Sequence, residues 1–289
     1  MRRLVVQQSW INDSEFIGYY VAAAEGWYFA ADLETEFLPG HAGLTPERTL
    51  LDGTADIALC APESLAATIR ETGHEFRVIG AQFQKSPLGI VSRADRPVRT
   101  LEDLRGRTLS VPEMNREMVV ELLVHAGIGP QEVSLVPYAH DPVPLITGQV
   151  DGLVDFIVDP RFRLAQANVD SHAILLFDHG APLPNNLVVV TGSTFETHRD
   201  ELAHWIAASR RGWQLNYQDP AVYPRRLRGN PLVESRTLEH EIYANQAFRP
   251  LVDTKDGPMS LSPSLVEQTR GYLNRIGLSL PDELFVKLA

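Results

Sequence analysis

The stretch "LLDGTADIAL", residues 50–59, has a counterpart in "LITGQVDGLV", residues 145–154. Each stretch passes from the tail of a helical pattern through a glycine to an aspartate, and then into a short apolar strand. A glycine that ends a helix and leads at once into a buried strand is typical of α/β units with parallel strands. Two such units predict two α/β lobes of similar construction and not one long doubly wound sheet.

The two ends of the chain differ in their patterns. Up to about residue 160, short β-branched runs alternate with longer helical patterns, which indicates βαβ units on a mainly parallel sheet. Beyond residue 193 long helical patterns dominate. We therefore predict an α/β fold that ends in a helical C-terminal region.

Composition narrows the classes of partner. The 289 residues include Lys+Arg 26 and Asp+Glu 37, a formal net charge of −11. This balance argues against nucleic acid or an anionic membrane as the main partner. Apolar runs are far shorter than the roughly 20 residues of a membrane span, so no direct membrane insertion is predicted. The N-terminus lacks the apolar region of a secretion signal, which leaves two locations open: the cytoplasm if Met1 is the natural start, or outside it if a leader was removed.

No metal and no cofactor are predicted. The single cysteine, Cys60, excludes a disulfide framework and a cysteine-rich metal site. The nine histidines form no H-E-x-x-H motif, and neither G-x-G-x-x-G nor a P-loop is present for a nucleotide. The G-x-S-x-G elbow of many hydrolases is missing as well.

Polar and aromatic side chains crowd the stretch "WINDSEF", residues 10–16, directly after the first predicted strand. Ligands of open α/β sheets bind beyond the carboxyl ends of the strands, where such loops meet helix N-termini. Helix capping is the alternative, since Asn12 and Glu15 resemble a capping box. Because capping needs only one or two of these side chains, we predict ligand contacts in this stretch. The candidates are Trp10, Asn12, Asp13, Glu15 and Phe16.

The same stretch starts the first predicted helix. Phe16, Tyr20, Ala23 and Trp27 recur at helical spacing. They predict one continuous helix with these four side chains on one face, and Gly26 suits its end.

Further candidate ligand contacts lie at the ends or starts of other predicted strands. They are Cys60, Glu63, Gln82, Gln84, Met114, Asn115, Phe156, Asp159, Asn185 and Asn186. Each alone is more often a cap or turn residue, so the prediction depends on their joint placement. Two interpretations of Cys60 stay open: a small apolar side chain under a helix, or a nucleophile whose pKa is lowered at a helix N-terminus.

The motif W-x-N-x-x-E-F-x-G-Y-Y-V-A-x-x-x-G-W-Y at residues 10–28, followed by "LPG", resembles the opening of bacterial substrate-binding proteins that capture pyrimidine precursors of thiamine. Their superfamily also includes taurine and sulfonate binders, a riboflavin binder and the yeast-type thiamine pyrimidine synthase. The stretches "IGAQFQKSP" and "TLEDLRGRTLSVP" and the two quoted first are similar to the superfamily too. The resemblance covers about residues 1–195.

This resemblance implies a type II periplasmic-binding-protein fold, with two α/β lobes, a hinge and a ligand cleft. The first lobe would comprise residues 1–90 and 191–289, including the C-terminal helices, and the second lobe residues 91–190. Trp10 and Asn12 match the ring-stacking tryptophan and the adjacent asparagine of the pyrimidine binders. An ABC permease would be the partner of an exported form.

Two departures from the family pattern bear on function. The synthase branch has a lysine where Cys60 stands and a cysteine-rich segment further on, so the single cysteine argues against synthase activity. The pyrimidine binders resemble "Y-Y-E-L" where this chain has "PNNL", which places Asn186 at the glutamate. An amide donates as well as accepts hydrogen bonds, so we expect a different ring, one with carbonyls.

The leading hypothesis is a solute-binding protein that closes two lobes over a small planar heterocycle, with uptake through an ABC transporter. Trp10 would stack on the ring, Asn12 and Gln82 would bind its edge, and Asn115 and Asn186 would close from the far side. One alternative is a cytoplasmic enzyme on the same fold, similar to a desulfinase, a decarboxylase or the pyrimidine synthase, with Cys60 as its support. The other is a cytoplasmic ligand sensor.

Overall fold

A computed structural model describes residues 1–233 and 235–288. The chain forms two compact units. The first consists of Met1–Lys85 and Pro184–Ala289, and the second of Ser86–Leu183. Each unit has one five-stranded sheet with helices around it, which confirms the predicted α/β class with two lobes. The range predicted for the second lobe, 91–190, differs from the observed unit. The strand at the end of the predicted range, residues 185–191, belongs to the first sheet.

The strands are named in chain order. They are β1 (Arg2–Gln7), β2 (Leu33–Leu38), β3 (Ile57–Cys60), β4 (Phe76–Phe83), β5 (Leu88–Arg93), β6 (Thr108–Val111), β7 (Ser134–Pro137), β8 (Gly152–Phe156), β9 (Ser171–Leu175) and β10 (Asn185–Thr191). The α-helices are α1 (Ile17–Ala24), α2 (Trp27–Ala30), α3 (Arg48–Leu51), α4 (Pro62–Thr72), α5 (Arg116–His125), α6 (Val143–Ile146), α7 (Val158–Gln166), α8 (Gly192–Thr197), α9 (Arg199–Asn216), α10 (Val222–Arg226), α11 (Leu238–Val252) and α12 (Pro263–Arg275). Among the described residues, no helix has both the length and the apolar character needed to cross a membrane.

The two sheets share one topology. The first has the order β2-β1-β3-β10-β4, and the second has the order β7-β6-β8-β5-β9. In the first sheet β1 runs parallel to β2 and β3, whereas β10 is antiparallel to both of its neighbours. In the second sheet β6 is parallel to β7 and β8, and β5 is the antiparallel member.

The repeated aspartates bind the first parallel strand of each sheet. Asp56 accepts a hydrogen bond from the Val5 backbone N–H at 2.8 Å and donates its own backbone N–H to the Val5 carbonyl at 2.9 Å. Asp151 makes the same two bonds to Thr108, both at 2.9 Å. The glycines that precede them, Gly53 and Gly148, have φ of 75° and 74°, a conformation that favours glycine. The sequence repeat therefore reflects one local structure that occurs in both units.

Aromatic side chains fill the core of the first unit where α1 packs on α9. The Tyr19 and Trp205 rings stack with centroids 5.5 Å apart, and Trp213 meets Tyr19 edge-on at 5.7 Å. The two helix backbones approach closely at Gly18 and Gly212. Since α9 follows residue 193, the C-terminal helices are part of this core and not an appendage.

The first helix departs from its predicted form. Ser14–Phe16 makes a single 3-10 turn before α1, and Gly26, with φ of 71°, separates α1 from α2. Ala23 is exposed, and Trp27 lies in the short second helix with the Arg211 guanidinium 4.0 Å from its ring centre. The prediction of one continuous helix was wrong because the left-handed glycine turns the chain before Trp27.

We predict that Gly212→Ala destabilises the protein, by about 1–3 kcal/mol or more. A Cβ at this position would lie 2.0 Å from the Gly18 carbonyl oxygen, so α1 and α9 would have to separate. Urea unfolding measures the change. The matched control is Gly271→Ala in α12, where a Cβ would meet no described atom within 4 Å. This control should raise the free energy of unfolding by about 0.5–1 kcal/mol. Equal effects of the two variants would contradict the close packing of the helices.

Candidate functional site

The carboxyl ends of β1, β3 and β4 lie at one edge of the first sheet, together with the start of β10. We call the segments that leave this edge, residues 8–16, 61–64, 84–85 and 185–186, the first edge. Ligands of parallel α/β sheets bind beyond such an edge. The structure therefore places most of the candidates predicted for the first lobe on one side of one sheet.

Glu15 is the centre of a buried hydrogen-bond network. Its carboxylate accepts from the Asn186 side-chain amide at 2.8 Å, and its backbone carbonyl accepts from Gln82 Nε2 at 2.6 Å. The Ser9 hydroxyl donates to Asn186 Oδ1 at 2.8 Å. Glu15, Gln82 and Asn186 are all buried. Gln82 and Asn186 thus both contact Glu15, and the three residues support the loop from its buried side.

Asn186 combines this buried network with an unusual backbone. Its φ is 47°, in the left-handed region that side chains other than glycine seldom adopt. Strained backbone of this kind clusters at functional sites, where the surroundings hold it in place. Asn186 belongs to the first unit, so it does not contribute from the second lobe as its predicted role required.

Trp10 and Asn12 belong to the first edge, and both are half-buried. The Trp10 carbonyl accepts from the Gly40 backbone N–H at 2.7 Å. A Cβ on Gly40 would lie 2.5 Å from the Ser9 carbonyl carbon and 2.6 Å from the Trp10 nitrogen. The backbone of the "LPG" segment therefore packs directly against the backbone of this loop. Asn12 accepts a hydrogen bond from the Tyr20 hydroxyl at 3.3 Å.

The helix cap in this loop is Asp13, and not Asn12 as the alternative interpretation of this stretch required. Asp13 Oδ1 accepts from the Glu15 backbone N–H at 2.8 Å, and the Ser14 backbone N–H donates to Glu241 Oε2 at 2.6 Å. Glu241 comes from α11 and is buried. Burial, followed by the nearby charge of Asp13, raises the pKa of Glu241 to about 7. Sequence reasoning missed Glu241 because nothing local in α11 marks a partner so far away in the chain.

Cys60 and Glu47 lie close to Glu63, which belongs to the first edge. Glu47 is fully buried and accepts from the Ser64 hydroxyl at 2.5 Å and from the Thr68 hydroxyl at 3.0 Å. Burial and then the charge of Glu47 raise the pKa of the Cys60 thiol well above its ordinary value. Burial also raises the pKa of Glu63 to about 7, and Glu47 adds to this. Since the nucleophile of cysteine chemistry is the thiolate, this environment favours the inert interpretation of Cys60.

The remaining candidates of the first unit have structural partners or core positions. Phe16 is completely buried. Gln84 donates to the Ala81 carbonyl at 2.9 Å and accepts from the Thr254 hydroxyl at 3.1 Å. Asn185 accepts from the Asn186 backbone N–H at 2.6 Å and is half-buried.

The second sheet has a corresponding edge, formed by the segments after β6 and β7 and by the end of β8 with the residues that follow it. We call residues 112–115, 138–142 and 155–159 the second edge. It carries the other four candidates: Met114 is exposed, and Asn115, Phe156 and Asp159 are half-buried. It also carries a pair that sequence reasoning missed, His140 with its Nδ1 3.3 Å from Asp155 Oδ2. Among nine scattered histidines, only the position of His140 after β7 could have singled it out.

Comparison with known proteins agrees with this architecture. The sequence pattern of the family described as "NMT1/THI5 like" matches residues 13–222. The chain belongs to this family. The matched range includes nine of the ten strands named above, and it ends within α10.

Individual relatives are distant in sequence. The riboflavin-binding protein RibY of Chloroflexus aurantiacus is 22% identical over 224 residues, which cover 73% of this chain and 62% of that protein. The chain thus spans less than two thirds of that relative's length.

Solved structures resemble the whole chain. The periplasmic sulfonate-binding protein SsuA of Methylobacillus flagellatus superposes with a TM-score of 0.71 at 11% identity, covering 99% of this chain and 92% of that one. The CA3427 protein of Candida albicans, described as having the periplasmic-binding-protein fold, gives 0.69 at 16% identity, with 98% and 93% covered. These likenesses confirm the predicted fold class.

We predict that Glu241→Gln makes the protein more stable relative to wild type as the pH rises. The folded-state pKa of Glu241 is about 7 against an ordinary 4.5. The stability contributed by its proton is therefore present below about pH 4.5 and is lost as the pH rises through about 7. Urea unfolding at pH 5, 6, 7 and 8 measures the difference. Glu239→Gln, at an exposed position of the same helix, is the control, and a parallel profile for both variants would contradict the buried site.

A second prediction concerns the contact between Asn186 and Glu15. Asn186→Asp removes the amide donor and brings a second carboxylate against that of Glu15, so we expect a loss of about 2–4 kcal/mol at pH 7. Asn185→Asp is the control, because the Asn185 side chain accepts the Asn186 backbone N–H and a carboxylate accepts that hydrogen bond equally well. Equal losses in the two variants would contradict the buried network.

Proposed function

We propose that this protein is a solute-binding protein that captures a small planar heterocycle for ABC-type uptake. The observation that carries the proposal is the placement of Trp10, a half-buried aromatic side chain on a loop held rigidly at the first edge. An indole face stacks well on a flat ring, and Asn12 lies beside it with both donor and acceptor groups. Sites of this composition, apolar with a few directed polar groups, are usual for small ligands.

Rigidity of the loop supports binding over a purely structural role. Gly40 donates its backbone N–H to the Trp10 carbonyl of the loop, and Glu241 accepts the Ser14 N–H. The hydrogen bonds of Glu15 hold the loop on its buried side. A loop already in its bound conformation loses little entropy when a ligand arrives, and affinity increases accordingly.

The chemistry of the first edge favours a ring over a sulfonate anion. The buried side chains around the loop include the carboxyl groups of Asp13, Glu15 and Glu241. The Ser14 backbone N–H, a donor that an anion would use at a helix start, is already bound by Glu241. The resemblance of the opening motif to proteins that bind thiamine pyrimidine precursors makes a pyrimidine the first ring to test, and the name of the relative RibY adds riboflavin.

The alternative of an enzyme that uses Cys60 has less support. The thiol is buried, and two carboxyl groups raise its pKa, so little thiolate forms at neutral pH. The function of a ligand sensor would use the same binding residues, and it differs from uptake only in the partner.

The test is thermal unfolding of the purified protein with 4-aminopyrimidine, 4-pyrimidinone, riboflavin, butanesulfonate and benzoate. A ring present at about 100 times its dissociation constant adds roughly 2.7 kcal/mol to stability. We expect such a shift with a heterocycle, its loss in Trp10→Ala, and no new product in mass spectra of the mixture.

Trp27→Ala is the matched control, because Trp27 is also half-buried but lies in α2 beneath Arg211. This variant should keep the ligand-induced shift. A shift only with the sulfonate, or equal loss of binding in both tryptophan variants, would contradict the proposed site.

A further inference from the structure

Asn12 has an amide side chain of which one end is bound by a buried tyrosine. The Tyr20 hydroxyl of α1 donates to Asn12 Oδ1 at 3.3 Å. Among the residues that the structure describes, the Nδ2 group of Asn12 donates to none, although Asn12 is half-buried. An amide has one acceptor oxygen and two N–H donors. The oxygen of Asn12 is therefore used within the protein, and its donors are left for a ligand.

Tyr20 is held both at its hydroxyl and at its ring. Gln8 Nε2 donates to the Tyr20 hydroxyl oxygen, so the hydroxyl hydrogen goes to its other neighbour, Asn12 Oδ1. The Phe37 ring from β2 meets the Tyr20 ring edge-on, with centroids 5.4 Å apart. Tyr20 is only 1% exposed, so water does not compete for this hydrogen.

The burial of Gln8 determines the direction of these two hydrogen bonds. Gln8 is completely buried, and its Oε1 has no partner among the described residues. The reversed chain, in which Asn12 donates to Tyr20 and Tyr20 to Gln8, would leave both N–H groups of the Gln8 amide unpaired instead. Buried N–H groups without a partner are rarer than buried carbonyl oxygens without one. The direction that makes Asn12 a donor is therefore the more stable one.

Tyr20 also keeps the proton that this arrangement needs. Burial raises the pKa of Tyr20 well above its ordinary value, and the hydrogen bond from Gln8 opposes this only in part. The nearby carboxyl groups of Asp13, Glu15 and Glu241 raise it further. The hydroxyl group thus stays a donor to Asn12 over the whole physiological pH range.

We propose that Tyr20 is a positioning residue that fixes Asn12 as a hydrogen-bond donor towards the ligand. The inference rests on the proposed function and uses residues of the first unit alone. It narrows the substrate class to planar rings with an acceptor, a ring nitrogen or a carbonyl oxygen, at the edge that faces Asn12. Because the amide is oriented before the ligand arrives, a ring with C–H groups at that edge leaves the donor unpaired and binds more weakly.

The test compares 4-aminopyrimidine with aniline, which carry the same amino group and differ in their ring nitrogens. Calorimetric titrations give the dissociation constants for wild type and for Tyr20→Phe, which keeps the aromatic ring and removes the hydroxyl. We expect wild type to bind 4-aminopyrimidine at least about tenfold more tightly than aniline. In Tyr20→Phe this ratio should fall by about threefold or more, because the Asn12 amide can then turn its oxygen to the ligand.

Tyr19→Phe is the matched control. Tyr19 is the adjacent residue of α1, it is completely buried, and its hydroxyl donates to Met259 Sδ at 3.5 Å. This variant should keep the wild-type ratio, whereas a general loss of structure would weaken both rings alike.

Asn12→Asp is a second variant that leaves Tyr20 unchanged. Its carboxylate accepts the Tyr20 hydroxyl but has no donor for the ligand. The ratio should therefore fall towards one, since both rings can offer the same amino group to the carboxylate.

NMR supplies a readout without ligand. The carbonyl carbon signal of the Asn12 amide should shift in Tyr20→Phe, where its oxygen loses a hydrogen bond, and should stay in place in Tyr19→Phe.

The possible outcomes separate the two proposals. An unchanged ratio in Tyr20→Phe, or an unmoved Asn12 signal, would overturn the role of Tyr20 while leaving ring binding intact. Equal affinities of wild type for the two small rings would overturn the acceptor class alone. If wild type binds riboflavin and neither small ring, that affinity should fall in Tyr20→Phe but not in Tyr19→Phe, and equal affinities would overturn the inference. No binding of any ring would contradict the proposed function and this inference with it.

Discussion

In each sheet one aspartate makes two hydrogen bonds to the first parallel strand, and we call this pair of bonds the clamp. The clamps determine where the first edge and the second edge lie. Asp56 binds both backbone groups of Val5, and Asp151 does the same with Thr108. The strand register follows directly, since Val6 then pairs with Ile57 and Leu109 with Gly152. Because the strands leave the clamp in parallel, they end at the same edge, and the loops that follow them meet there. Each clamp also has an arginine partner, Arg2 at 3.1 Å and Arg96 at 2.5 Å.

On this frame the first edge is built from segments that are remote in sequence. The loop of Trp10 is contacted by Gly40 from the second strand's end, by Asn186 from β10 and by Glu241 from α11. Most of these contacts are buried hydrogen bonds to backbone groups, which cannot be made by water once the loop is packed. Glu241, which holds this loop through the Ser14 backbone N–H, has a raised pKa, so this contact makes the stability of the protein depend on pH.

The sequence predicts the frame well and the site only in part. The apolar run "FRVIGAQF" predicts a strand, and β4 covers the same residues, Phe76–Phe83. The repeat at residues 50–59 and 145–154 predicts the two sheets. Such features depend on local periodicity and on glycine conformation. The contacts of Glu15 with Asn186 and of Ser14 with Glu241 join residues more than a hundred positions apart, for which a single sequence holds no signal. The buried position of Cys60 was one of two interpretations of the sequence, but its proximity to the Glu47 carboxyl group was not predicted.

The position of β10 between β3 and β4 has a consequence for synthesis on the ribosome. β3 and β4 do not pair with each other, because β10 lies between them and pairs with both. The whole second unit is translated before β10. The backbone groups of β3 and β4 that later pair with β10 are therefore unpaired while residues 86–183 are already able to fold. Exposed strand edges are sites of aggregation, and long-range pairing is slow. During that interval the nascent first unit is a natural client for chaperones, although the finished sheet buries those edges.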